Sequence, residues 1–167
     1  MKRVNQFFIH LFSDFRSILF CGLIFFSFNA HSSPYLKDIK VIDGDTVKAF
    51  YKNETIKIRL AEIDAPEMKQ DFGYQSKKCL SKILTDANQV IAFKFKEEDR
   101  YKRSVGWLFA GDKNLNHEMV RRGCAWVYDR YVVNKKIYLV QDLAKVNKSG
   151  LWKKANPTAP WLWRRNR

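Results

Sequence analysis

Thr46-Val47-Lys48-Ala49-Phe50-Tyr51-Lys52-Asn53-Glu54-Thr55-Ile56-Lys57-Ile58-Arg59-Leu60 alternates in side-chain character twice, with a turn between the two runs. Val47, Ala49 and Tyr51 share one face of an extended chain, opposite Thr46, Lys48 and Phe50. Lys52-Asn53-Glu54 interrupts the pattern, and Ile56, Ile58 and Leu60 resume it against Lys57, Arg59 and Ala61. A period of two marks strands half-buried on a sheet. With the isoleucines in the core, Arg59 must face the other way. Upstream, Ile39 and Val41 alternate with Asp38 and Lys40, and Asp43-Gly44 supplies a turn signal. Three strands joined by short turns make a meander.

The pattern then changes period. Leu80, Ile83, Leu84 and Ala87 share one helical face, which predicts a helix over residues 74–87. Two more strands follow, over 90–96 with Ile91, Phe93 and Phe95 on one face, and over 105–110 ahead of Gly111-Asp112-Lys113. Asn114 is placed to cap a short helix that buries Leu115, Met119 and Val120 and stops at Gly123. A last helix over 134–148 should bury Ile137, Val140 and Ala144 and end at Gly150. The order β-β-β-α-β-β-α-α suits an α+β fold, a five-stranded Greek-key barrel of the OB type with three helices. We expect this domain to fill residues 33–155, with 156–167 a basic, Pro-punctuated tail. No internal repeat is visible.

Residues 1–32 read as a leader. Lys2, Arg3 and Arg16 precede an apolar run over residues 17–28, and Ala30-His31-Ser32 offers the small residues of a cleavage site. That run is shorter than the roughly 20 residues a bilayer span needs. Export to a periplasmic or extracellular space, without stable membrane association after cleavage, is the expectation, a retained anchor the alternative. Losing three cations and one anion with the leader lowers the net charge from +14 to +12. Such a chain attracts polyanions, although a cationic surface coat or a membrane-associated protein would share that charge. Cys79 and Cys124 remain as an even pair, either a disulfide suited to an oxidising compartment or two buried thiols. No Cys/His spacing suits zinc, and His117 stands alone.

The chemistry concentrates in two short segments, Ile42-Asp43-Gly44-Asp45-Thr46 and the run from Ile58-Arg59-Leu60 into Ile63-Asp64-Ala65-Pro66-Glu67. Carboxylates and a guanidinium at strand ends are what a hard cation and a phosphodiester together demand: oxygen ligands, a positive clamp and a base for water. Asp43 is either an outer neighbour of such a site or the former of its turn. Glu62, on the same segment, reads as a surface residue, and Trp126 as core.

These segments resemble the active-site region of the staphylococcal nuclease family, and the resemblance covers nearly all of residues 35–155. It implies Asp45, Asp64 and the carbonyl of Ala65 as Ca²⁺ ligands, with Arg59, Glu67 and Arg103 as catalytic residues. Asp99-Arg100-Tyr101-Lys102-Arg103 is similar to a family run in which glycine stands where this chain has Lys102. If that position takes a positive φ, lysine strains the turn and Arg103 moves. The resemblance further implies that Arg100 and Tyr101 hold a terminal phosphate and that Tyr131 walls a base site. The second wall falls on Asp129, so that stacking is either partly lost or passed to Tyr128. On this basis the chain is expected to be an exported, monomeric, Ca²⁺-dependent and sugar-nonspecific nuclease. It would cut DNA and RNA to 3′-phosphorylated products. The rival is a catalytically inactive OB-fold module that binds nucleic acid or protein. Binding alone needs cations, not this set of carboxylates.

Overall fold

A computed structural model describes residues 35–166. The leader expected over 1–32 lies outside the described residues. The meander forms as its alternation dictates: β1 (Tyr35–Val41), β2 (Thr46–Tyr51) and β3 (Glu54–Leu60), each antiparallel to the next. Lys52 and Asn53, at φ 47° and 69°, make the two-residue β2–β3 turn, the left-handed geometry that matches strand twist. A two-residue strand, β4 (Ile63–Asp64), follows, then α1 (Gly73–Ala87), β5 (Ile91–Glu98) and β6 (Ser104–Ala110). β5 pairs with both β1 and β6, and β6 runs parallel to β3 through Ile58↔Ser104, Arg59↔Val105 and Leu60↔Gly106. That pairing closes the five-stranded barrel. A short β7 (Lys113–Asn114) extends the sheet beside β6, and β8 (Trp126–Val127) pairs with β4.

Val47, Ile58, Leu60 and Leu108 from the barrel meet Leu80 and Ile83 of α1, Met119 and Val120 of α2 (Leu115–Arg121) and Ile137 of α3 (Lys136–Val146) in one core. Burying each such side chain is worth about 1.5–3 kcal/mol. Phe95, expected inward with Ile91 and Phe93, is exposed instead. The β5–β6 register shifts between Phe95 and Glu97, and a bulge there turns the strand's faces. Asn114 caps α2 by accepting from the backbone N–H of Asn116 and His117. Asn116, fully buried, ties α2 to the barrel seam: its amide donates to the carbonyls of Ala61 and Gly106 and accepts from the Leu108 N–H.

Cys79 of α1 and Cys124, just past α2, form a disulfide with Cα atoms 6.3 Å apart. Residues 156–167, read from sequence only as a tail, contain a fourth helix, α4 (Pro160–Arg165), with Pro160 in its first turn where a missing N–H costs nothing. Its Trp161 packs against Trp126, which is half-buried between Trp152 and Trp161 rather than sunk in the core.

Candidate active site

The β1–β2 turn is built to aim one carboxylate. Asp43 accepts the Asp45 N–H at 3.1 Å, which forms the turn, and it also lines the cleft beside Asp45. Gly44 lies so close to Ser76 of α1 and to Ala65 that a Cβ would overlap both. Only glycine lets the turn sit there. Asp45 is thereby pressed into the wall, 7% exposed, where Oδ2 accepts the Ala65 N–H at 2.7 Å and Oδ1 the Thr46 hydroxyl at 3.1 Å.

Arg59 projects from β3 away from the isoleucine face, as the alternation requires. One guanidinium nitrogen is anchored on the carbonyls of Leu60, 2.6 Å, and Ile63, 2.9 Å. The other, Nη2, lies 3.1 Å from Asp45 Oδ2 and 2.9 Å from Asp64 Oδ1. Asp64 is held by the β4–β8 pairing, and its side chain is almost wholly buried. Burial, with the neighbouring charges of Asp43 and Asp64, pushes the Asp45 carboxyl up to about 7 against the opposing pull of Arg59.

Glu67 is the exposed member. Its N–H donates to the Gln70 side chain at 3.1 Å, and its carboxylate reaches solvent. Arg103 lines the same cleft. Lys102 does take a positive φ, 61°, and Arg103 still lines the cleft, where Asp99 holds its backbone N–H at 3.0 Å and its guanidinium at 2.8 Å. Arg100 donates to the Tyr101 hydroxyl at the rim, and Tyr128 and Tyr131 meet edge to face at 5.0 Å. All nine residues expected at the site, Arg59, Glu67, Arg103, Asp45, Asp64, Ala65, Arg100, Tyr101 and Tyr131, line one cleft of about 690 Å³.

Two residues escaped the sequence. Glu62 is not on the surface: it is 2% exposed and φ is 67°. Its carboxylate accepts the N–H groups of Val133 and Asn134 and the Trp107 indole, each at 2.7 Å, and lies 3.4 Å from His117. Burial raises its proton affinity, but these donors outweigh burial and hold it below the usual carboxylate range. Glu62 thus fixes the chain just after Tyr131. The other is Arg164 of α4, whose guanidinium bonds Asp64 Oδ2 at 2.7 Å, Asp64 Oδ1 at 3.3 Å and Glu67 Oε1 at 2.7 Å. The only signals for it were Pro160 and the tryptophans around it.

As a metal site the donor set is spare. Among the described residues no group of three or more His, Cys, Asp and Glu side chains is arranged to hold an ion. Asp45 and Asp64 nevertheless turn one oxygen each toward a single Arg59 nitrogen, so both already converge on one positive charge. Carboxylate oxygens are donors of the kind a hard cation takes.

Residues 57–154 match the family model described as staphylococcal nuclease homologue. Curated relatives bear related names. An "Uncharacterized endonuclease" of Haemophilus influenzae is 45% identical over 129 residues, 76% of this chain and 71% of the relative. One of the same name from Escherichia coli O157:H7 is 39% identical over 127 residues, 75% of this chain and 82% of the relative. A "Micrococcal nuclease" of Shigella flexneri is 35% identical over 138 residues, 76% of this chain and 78% of the relative.

Proposed function

The chain belongs to the staphylococcal nuclease family and is a phosphodiester-hydrolysing nuclease; beyond that, we propose that it is an exported, Ca²⁺-dependent enzyme that cuts DNA and RNA alike to 3′-phosphorylated ends. The observation that carries this reading is the convergence of Asp45 and Asp64 on one position, with Glu67 and Arg103 on the same cleft. A module that only bound nucleic acid would gain nothing from burying two carboxylates there.

Asp45, Asp64 and the Ala65 carbonyl would hold the ion, which supplies Lewis-acid polarisation of a phosphoryl oxygen when bound. The protein's own residues do the rest. Glu67, half in solvent, takes the proton of the attacking water as the new O–P bond forms and the bond to the 5′-oxygen breaks. Arg59 and Arg103 donate to the non-bridging oxygens where charge grows in the transition state. Arg100 and Tyr101 at the rim suit a flanking phosphate, and Tyr128 and Tyr131 suit a base stacked without regard to its identity.

Export is supported by the Cys79–Cys124 bridge, a bond that persists in oxidising compartments. Among the described residues, no helix is long and apolar enough to cross a membrane. End-group analysis tests the reaction. Oligonucleotides cut in Ca²⁺ should resist 3′ extension by a polymerase until a phosphatase removes the terminal phosphate. Products extended without that treatment would reverse the proposed direction of cleavage.

A further inference from the structure

Helix α4 is too short to be stable alone, so its place is set by what it docks on. Ala159 and Pro160 are buried, and the Thr158 carbonyl accepts from Gln70 Nε2 at 2.7 Å. Trp161 stacks on Tyr128 at 5.6 Å with the rings 9° from parallel, and meets Trp126 edge-on at 5.7 Å. Tyr128 lines the cleft, and the other two partners hold residues that do. Gln70 also holds the Glu67 N–H, and Trp126 pairs with Asp64 across β4–β8. The helix is thus registered against the residues that carry the chemistry, and it lies beyond the segment matched to the family model.

What that register delivers is the Arg164 guanidinium, shared between Asp64 and Glu67. Its place differs from that of Arg59. Asp45 is served by Arg59, the Ala65 N–H and the Thr46 hydroxyl, whereas Arg164 bonds Asp64 and Glu67. Arg164 reaches Asp64 mainly through Oδ2, at 2.7 Å, with Oδ1 at 3.3 Å. It fixes the carboxylate of Glu67, which is otherwise a partly exposed side chain in a turn with several rotamers open to it. Resting on the nuclease reading, the geometry points to Arg164 as a positioning residue: through α4 it holds the Glu67 carboxylate at a fixed distance from Asp64, and so from the attacking water. Glu67 does the chemistry. Arg164 and its aromatic dock decide where it does it.

The test uses the full mature chain and three variants, Arg164→Ala, Arg164→Lys and Trp161→Ala, on single-stranded DNA in saturating Ca²⁺. Misplacing a reacting group by about 1 Å costs roughly 10²-fold, so Arg164→Ala should lower kcat by about that factor while KM moves less than about threefold. Lysine should restore part of the loss, since it keeps one donor but not the fork. Trp161→Ala should reproduce the fall in kcat although Trp161 touches neither carboxylate. Ca²⁺ affinity by calorimetry, without nucleic acid, should be no weaker in Arg164→Ala than in the parent. An unchanged kcat overturns the inference, as does a rise in KM alone, which would make Arg164 a substrate-binding cation. Ca²⁺ binding lost in step with activity would assign it to the metal site, and a raised kcat would make α4 an inhibitory cap. An inactive parent would instead defeat the nuclease reading, whereas an active parent with an equally active Arg164→Ala defeats only this one.

Discussion

Asp45 carries an unusual burden for a single residue: a carboxylate pressed into a wall beside those of Asp43 and Asp64, paired with a guanidinium, Arg59, that it shares with Asp64. Burial is the main reason its folded-state pKa rises from 3.8 to about 7. The sign of the resulting linkage is fixed. The folded chain binds this proton more tightly than the unfolded chain, so the contribution to stability is full below about pH 4 and is lost as pH climbs through 7. Glu62 and Glu118 are shifted downward, so their contributions change below their ordinary pKa of 4.5. The window from pH 5 to 8 therefore isolates Asp45. In EDTA, the melting temperature should fall across that window, and Asp45→Asn should flatten the fall. Ca²⁺ should restore stability at pH 8 in the parent and not in the variant. An equal slope in both proteins would place the titrating group elsewhere. Of these residues the sequence shows Asp45, Arg59, Asp64 and Glu67 because each stands at a strand end or turn. Glu62 stayed hidden, since its donors arrive from Trp107, Val133 and Asn134, far along the chain.

At the level of elements, strands were the most legible part. The two-residue period placed the meander and the outward face of Arg59, and closure followed from β6 lying beside β3. Where period and structure part, the cause is local. The bulge after Phe95 turns an apolar side chain outward. Helix α4 was illegible because its stability comes from Trp161 on Tyr128 and Trp126, contacts that no short-range pattern encodes. The Asp99–Arg103 turn shows how a departure is absorbed. Lys102 sits at φ 61°, a conformation costing a non-glycine residue about 1–2 kcal/mol, and Asp99 holds the turn by bonding both Tyr101 and Arg103. Lys102→Gly should therefore stabilise the protein by roughly 0.5 kcal/mol, after glycine's own entropy loss, with little change in activity. Chemical denaturation measures the first and a standard cleavage assay the second. A destabilised variant would mean that the lysine side chain, bonded to Glu98 at 3.2 Å, matters more than the backbone.

Across the whole molecule, one covalent tie and one charge imbalance set the conditions of work. The Cys79–Cys124 bridge joins α1 to the end of α2 over a sequence separation of 45. In the chain-entropy model a loop of that size is worth about 4 kcal/mol. Reduction, or Cys79→Ser with Cys124→Ser, should lower the melting temperature by many degrees while leaving activity at low temperature, because neither sulfur lines the cleft. Activity lost at all temperatures would show that the bridge shapes the site. The net charge of +14 over the full chain was plain in the sequence and agrees with a polyanionic substrate, but it could not by itself separate a nuclease from a coat protein. The carboxylates do that, so the most direct test of the account sets them against the metal. DNA cleavage by the mature protein, by Asp64→Ala and by Glu67→Gln should be followed in Ca²⁺ and in EDTA, with folding verified for each. The parent should cleave fast in Ca²⁺ alone, and Asp64→Ala almost not at all. Glu67→Gln should still bind DNA but cleave it about 10²–10³-fold more slowly. Cleavage that continues undiminished in EDTA, or in Asp64→Ala, would contradict the account.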